Sequence, residues 1–196
     1  INNEDYNYIK LNLYRKSLIY KVNGVGLDFS IKHSKKKIKI KKNIRKILVI
    51  GAYKKDKGYL EVIKVAELLK NHKIQIECYG YGNYDKFNLL KIKKKLNNLY
   101  FNKFDKNLNN KIKNYDVLLH LSKREGLPVA VMQSLSEGLP VICYNIRGNN
   151  DLIKHKFNGY FVKSYKEVSN RIFYLNLNES FLNSMRLNAF KSINKN

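Results

Sequence analysis

From Lys46 onward, short apolar runs alternate with longer stretches whose apolar residues return every three or four positions. Runs 47–50, 74–79, 99–104, 116–121, 140–144 and 160–162 read as strands. Helical spacing fills 58–70, 87–96, 108–112, 128–137, 149–154, 165–175 and 179–192. The first helix is expected to pack Leu60, Ile63, Val65, Ala66, Leu68 and Leu69. The second is expected to pack Phe87, Leu89, Leu90, Ile92 and Leu96. Strands alternating with helices form βαβ units. The expected fold is α/β, a doubly wound parallel sheet, and ligands then bind beyond the C-terminal ends of its strands.

Residues 1–45 lack this order. A strand-like run at 18–22 leads into the turn-rich Asn23-Gly24-Val25-Gly26-Leu27-Asp28, and the lysine-rich segment 32–46 reads as a solvated linker. The expected organisation is an N-terminal extension over 1–45, a ligand-binding domain over 46–175 and a terminal helix over 176–196. The chain begins without Met, so a cut or fragmentary N-terminus is expected.

The net charge of +24 has three candidate sources. Lys, Asn, Ile and Tyr, whose codons are A/T-rich, recur throughout, so genome composition would raise all four. An anionic membrane surface would also attract such a chain. Nucleic acid is the third candidate, but a domain that reads bases or grips phosphates bidentately favours arginine. Only six of the 39 basic residues are arginine, so no nucleic-acid partner is expected. Cys78 and Cys143 lie in apolar runs without close-spaced histidines, which reads as buried thiols in a reducing compartment and not as zinc ligands. No apolar run approaches membrane-spanning length, and the polar start does not read as a signal peptide. The expected location is cytoplasmic, possible contact with the inner membrane face included.

Three loops follow strand ends: 51–58, 80–83 and 122–128. In the last, Gly126 lets backbone approach a ligand without Cβ obstruction. Pro128 suits a first helical turn, whose free amides favour phosphate. Glu125 beside that anion site would repel phosphate, so it suits the hydroxyls of a neutral polyol. Gln133 lies eight residues on, about 12 Å along a helix, within reach of the same ligand only if that ligand is extended. On spacing alone, Glu125 as a helix-start charge and Gln133 as a surface amide is the plainer reading. Gly80-Tyr81-Gly82 reads as a strand-to-helix turn, and the tyrosines and phenylalanines as core; His120, which ends the strand before 122–128, reads first as a packed histidine, with lining the cleft as the alternative.

The segment from Ser122 to Ile142 resembles the signature of family-4 retaining glycosyltransferases of the GT-B fold, where two glutamates with seven residues between them flank a helix start. Asn145–Ile153 and Asn158–Val162 continue the likeness. Gly51-Ala52-Tyr53-Lys54-Lys55-Asp56-Lys57-Gly58 is similar to the family's diphosphate loop, and 23–28 to its crossing into the C-terminal, Rossmann-like domain. The resemblance implies a hexosyltransferase that moves a sugar, with retention, from a nucleotide-sugar to a glycan or lipid-linked acceptor. It implies work on surface polysaccharide: capsule, exopolysaccharide or lipopolysaccharide. A UDP-sugar is the expected donor, with no metal and no other cofactor. Glu125 would accept from sugar hydroxyls, Gly126 and Leu127 would face sugar and diphosphate, and Gln133 would hold the ribose. Lys57 would stabilise the departing diphosphate beside the Gly51–Ala52 backbone. Gln133 stands where the family has Glu, and Ala52 where many members carry Arg. Lys54, Lys55 or Arg147 are candidates to replace that cation. Only the last stretch of the acceptor domain is matched, so an inactive nucleotide-sugar-binding fragment is the alternative expectation. A basic nucleic-acid-binding domain is the remoter one.

Overall fold

The computed structural model describes residues 3–12 and 38–193. The expected strand at 18–22, the turn at 23–28 and Lys35–Lys37 lie outside the described residues. Six strands form one sheet: β1 (Lys46–Ile50), β2 (Gln75–Gly80), β3 (Leu99–Lys103), β4 (Val117–His120), β5 (Val141–Tyr144) and β6 (Gly159–Val162). Every pairing is parallel, in the order β3-β2-β1-β4-β5-β6. The expected doubly wound sheet is therefore the observed one. The direction of winding reverses between β1 and β4, which opens a crevice at their C-terminal ends.

The central strands β1, β4 and β5 are buried on both faces because each face has its own core. Ile47 and Val49 of β1 and Val117 and Leu119 of β4 enter one core, with Ile142 of β5. Leu48, Leu118, Val141 and Cys143 point into the other. The helices are α1 (Asn3–Asn12), α2 (Tyr59–Leu68), α3 (Asp85–Lys93), α4 (Leu108–Lys111), α5 (Val129–Ser136), α6 (Asn149–Leu152), α7 (Tyr165–Leu177) and α8 (Glu179–Ile193). Helices α2, α3 and α7 supply the first core, α4 and α5 the second, and α8 contributes to both. Ser164 sets the start of α7 by accepting from the Glu167 amide at 3.4 Å.

Two expectations on helix faces fail. Leu60 and Leu68 of α2 are exposed, while Tyr59 and Val62 are fully buried in their place. On α3, Leu89, Leu90 and Ile92 face solvent, and Phe87 alone anchors the helix. Apolar residues surround both helices, so spacing could not choose the buried side. The end of the lysine-rich segment is not a solvated linker either. Ile44 is fully buried, its amide donates to Asn176 Oδ1 at 2.6 Å, and the Lys41 amide donates to Asn183 Oδ1 at 2.8 Å. Helix α1, for which the sequence carried no clear period, lies against the loop after β5. Asn3 bonds Asp151, and Asp5 pairs with Arg147 at 2.5 Å. Among the described residues, no helix is long and apolar enough to cross a membrane.

Candidate functional site

The crevice is built by the loops that leave β1, β2, β4 and β5. After β1 the chain makes a tight 3-10 turn, Lys55–Lys57, and enters α2 through Gly58. Gly58 is left-handed (φ 76°), and a Cβ there would sit 2.1 Å from the Leu121 carbonyl oxygen. Only glycine lets this turn press against the end of β4. The Lys123 amide then donates to the Asp56 carbonyl at 2.8 Å and locks the two loops together. The loop after β2 joins them through the Tyr53 amide, which donates to the Tyr81 carbonyl at 2.8 Å. On the other side Gly148, also left-handed, lies so near Gly126 that a Cβ would meet its carbonyl oxygen at 2.0 Å.

This packing places Lys57 and Glu125, 68 residues apart in sequence, in contact. Lys57 Nζ lies 2.7 Å from Glu125 Oε1 and 3.4 Å from the Arg124 carbonyl oxygen. His120, the last residue of β4, places Nε2 3.4 Å from the same Oε1. His120 Nε2 is buried, and at this distance it acts on the carboxylate electrostatically without a well-formed hydrogen bond. Gly126 and Leu127 follow at once and lead to Pro128, which caps α5 with extended backbone. Val131 and Met132 donate to the Pro128 carbonyl, and the amides before them precede the first helical acceptor, as at any helix start. Gln133 is half-buried in the second turn of α5. Gly51 is more constrained than the sequence indicated: its amide donates to the Tyr79 carbonyl, and its carbonyl accepts from the Tyr59 hydroxyl at 2.5 Å. Ala52 follows with its carbonyl turned onto the Lys54 amide. Arg147, a candidate to replace the missing cation beside Ala52, is engaged by Asp5 of α1.

Burial by itself would raise the Glu125 carboxyl. His120, Lys57 and Ser122 outweigh it and hold the group at about 2, below its ordinary 4.5. A depressed carboxylate contributes stability above its unfolded value and loses it as pH falls toward the folded one. Between pH 4.5 and about 2, wild type is therefore expected to lose up to ~3 kcal/mol that Glu125→Gln does not lose. Parallel melts of the two proteins across that range check this, and equal slopes refute it.

Two features depart from the plainer reading of the sequence. His120 is only 6% exposed, as a packed histidine would be, yet it belongs to the site. Its position directly before the key loop was the available signal. Tyr81 (61% exposed) and Phe104 (43%) are not core residues. Their rings stack at 4.0 Å beside a groove of about 610 Å³ lined by residues 80–85, Lys103 and Phe104. Gly80-Tyr81-Gly82 does make the expected turn, with Gly82 at φ 96°. Among the described residues no three His, Cys, Asp or Glu side chains converge on a point that could hold a metal.

The sequence pattern that defines the family described as "Glycosyl transferases group 1" matches residues 30–192. Over 76 residues the chain is 37% identical to the UDP-Gal:alpha-D-GlcNAc-diphosphoundecaprenol alpha-1,3-galactosyltransferase of Escherichia coli. That stretch is 39% of this chain and 17% of the relative. Staphylococcus aureus TarM, solved with fondaparinux, alpha-GlcNAc-glycerol and UDP, superimposes with a TM-score of 0.82 at 19% identity. The superposition covers 98% of this chain and 39% of TarM. The C-terminal domain of LpcC from Francisella tularensis, a glycosyl transferase group 1 family protein, gives 0.68 at 19% identity, over 76% of this chain and 83% of that domain.

Proposed function

This chain belongs to the glycosyl transferases group 1 family, and on that premise we propose that it is the donor-binding part of a retaining, family-4 hexosyltransferase that uses a UDP-sugar. The meeting of Lys57 and Glu125 at the switch point carries the reading. An ammonium and a carboxylate held side by side suit a ligand with a diphosphate at one point and hydroxyls at the next. Extended along the strand ends, the donor would lay its base in the groove beside Tyr81 and Phe104. Its diphosphate would lie over the 51–57 loop and the first turn of α5, and its sugar against Glu125. Gln133 would reach the ribose.

In transfer, the bond from the anomeric carbon to the β-phosphate oxygen breaks and UDP leaves. The acceptor hydroxyl oxygen forms the new bond and passes its proton to the departing diphosphate. Negative charge grows on the diphosphate as this happens. Lys57 and the α5 amides stabilise it more in the transition state than in the bound donor. Glu125, ionised at working pH, fixes the sugar by accepting hydrogen bonds from its hydroxyls.

The curated relative is named for a GlcNAc-diphosphoundecaprenol acceptor, which supports a lipid-linked acceptor and a role in surface polysaccharide. The net charge of +24 would favour the anionic cytoplasmic leaflet where such an acceptor lies. Calorimetric titration with UDP, GDP and their hexose conjugates tests the donor. UDP is expected to bind, and Tyr81→Ala to weaken it by about 1–2 kcal/mol through lost base stacking. Saturable binding of GDP but not UDP would overturn the choice of nucleotide. No binding of either would favour the inactive-fragment reading, with Ala52 and Gln133 marking a decayed site.

A further inference from the structure

We infer that the Lys57–Glu125 ion pair is the resting form of this site, and that His120 takes over Glu125 Oε1 when a diphosphate draws Lys57 away. The inference rests on the nucleotide-sugar reading above and adds how the site passes from empty to loaded. Both partners already address one oxygen: Lys57 Nζ at 2.7 Å and His120 Nε2 at 3.4 Å. A buried polar atom without a partner calls for an explanation, and His120 Nε2 is one. In the resting form Lys57 holds the acceptor that this nitrogen faces.

The two partners differ in freedom. Lys57 ends a surface turn on a long, rotatable side chain. His120 is fixed in β4, in register with Cys143 of β5 and buried like every residue of its strand. The lysine is therefore the partner able to leave, and the histidine the one that stays. A shift of about 0.5 Å would bring His120 into hydrogen-bond range. Its Nε2 must then carry the proton, which fixes the tautomer.

The exchange solves a problem that the reading creates. Lys57 cannot neutralise Glu125 and a diphosphate at once. Without His120, Glu125 would be left half-buried beside an anion with Ser122 as its remaining support, free to turn from the sugar. His120 is thus a positioning residue that keeps the carboxylate aimed, with Ser122, whose hydroxyl also donates to the Arg124 carbonyl at 3.0 Å, beside it.

Side-chain nitrogen NMR of the histidines in the whole chain tests this, with amide spectra to verify folding. In Lys57→Met without ligand, the His120 Nε2 signal is expected to move to that of a hydrogen-bonded N–H. Adding Glu125→Ala is expected to abolish the move. UDP added to wild type should reproduce it. His120→Phe should weaken UDP, because Glu125 then loses Lys57 without its replacement donor, and should reduce the added affinity of UDP-glucose or UDP-galactose at least fivefold. His120→Gln, which keeps a donor at a similar place, should restore most of that loss. An unmoved His120 signal in folded Lys57→Met, or in Lys57→Gln should the first variant misfold, overturns the exchange. A signal that moves in Lys57→Met while UDP and both conjugates leave wild type unchanged would uphold the exchange and sink the nucleotide-sugar reading.

Discussion

Replacing Asp116 with alanine is expected to destabilise this chain by about 3–5 kcal/mol, the cost of stripping a buried charge from its partners. Asp116 is 2% exposed and stands just before β4. Its Oδ2 accepts the amides of Arg45 and Lys46 at 2.7 and 2.8 Å, where the chain enters β1. Its Oδ1 lies 2.7 Å from Lys41 Nζ. Arg186, 1% exposed, donates to its backbone carbonyl at 3.2 Å. Burial lowers the Arg186 guanidinium, and the Asp116 charge opposes that effect. Alanine would leave two inner amides without an acceptor and a buried guanidinium without its counter-charge. At this chain length the melting temperature should fall by about 10 °C. Asp116→Asn, which keeps an acceptor for the amides, should lose less. Urea melts of the three proteins check this, and an unchanged midpoint in Asp116→Ala would refute it. Asp116 lies at the opposite end of the sheet from the crevice, so the folded fraction should keep its nucleotide affinity.

Lys57→Ala is expected to slow sugar transfer by the full transferase about 10²–10³-fold, the usual effect of removing one donor to a developing anion. The loss should fall on kcat more than on the KM for donor, because the charge that Lys57 meets grows as the bond breaks. Two circumstances place the effect at the upper end. Ala52 supplies no second cation, and Arg147 is held by Asp5. Lys57→Arg should recover part of the rate, since the charge remains while its position changes. Steady-state kinetics with a UDP-hexose and a lipid-linked acceptor decide the matter. An unchanged kcat in Lys57→Ala would remove the residue from the chemistry and leave it as a loop tether.

The sheet and the key loop were legible in the sequence because their causes are local. A strand buried on both faces is apolar nearly throughout, and such runs gave β1, β4 and β5 to within a residue at each end, while the alternation of β2 gave that strand equally well. Gly126 and Pro128 announce a close approach and a helix start by their own backbone chemistry, and Glu125 beside them is an acid where an anion would bind. From residue types alone, that loop could be singled out together with 51–58.

What those loops do to one another was decided only in three dimensions. The 2.7 Å contact between Lys57 and Glu125 depends on Gly58 and Gly148, whose missing side chains let neighbouring loops close. The sharing of Oε1 with His120 depends on where β4 ends. Neither leaves a local trace, because a histidine at a strand end has the same composition whether it packs or faces an acid. The outward turn of Leu89 and Ile92 was hidden for a similar reason. A helix with apolar residues on every side carries no preferred face until the sheet beneath it accepts Phe87. The opposite-end clamp of Asp116, Arg186 and Lys41 joins segments 70 and more residues apart. The sequence determined which segments would be strands, helices and loops, since each responds to its own burial period and backbone chemistry. Only the tertiary structure decided which charges would share one oxygen, because that depends on distances between segments that no local pattern encodes.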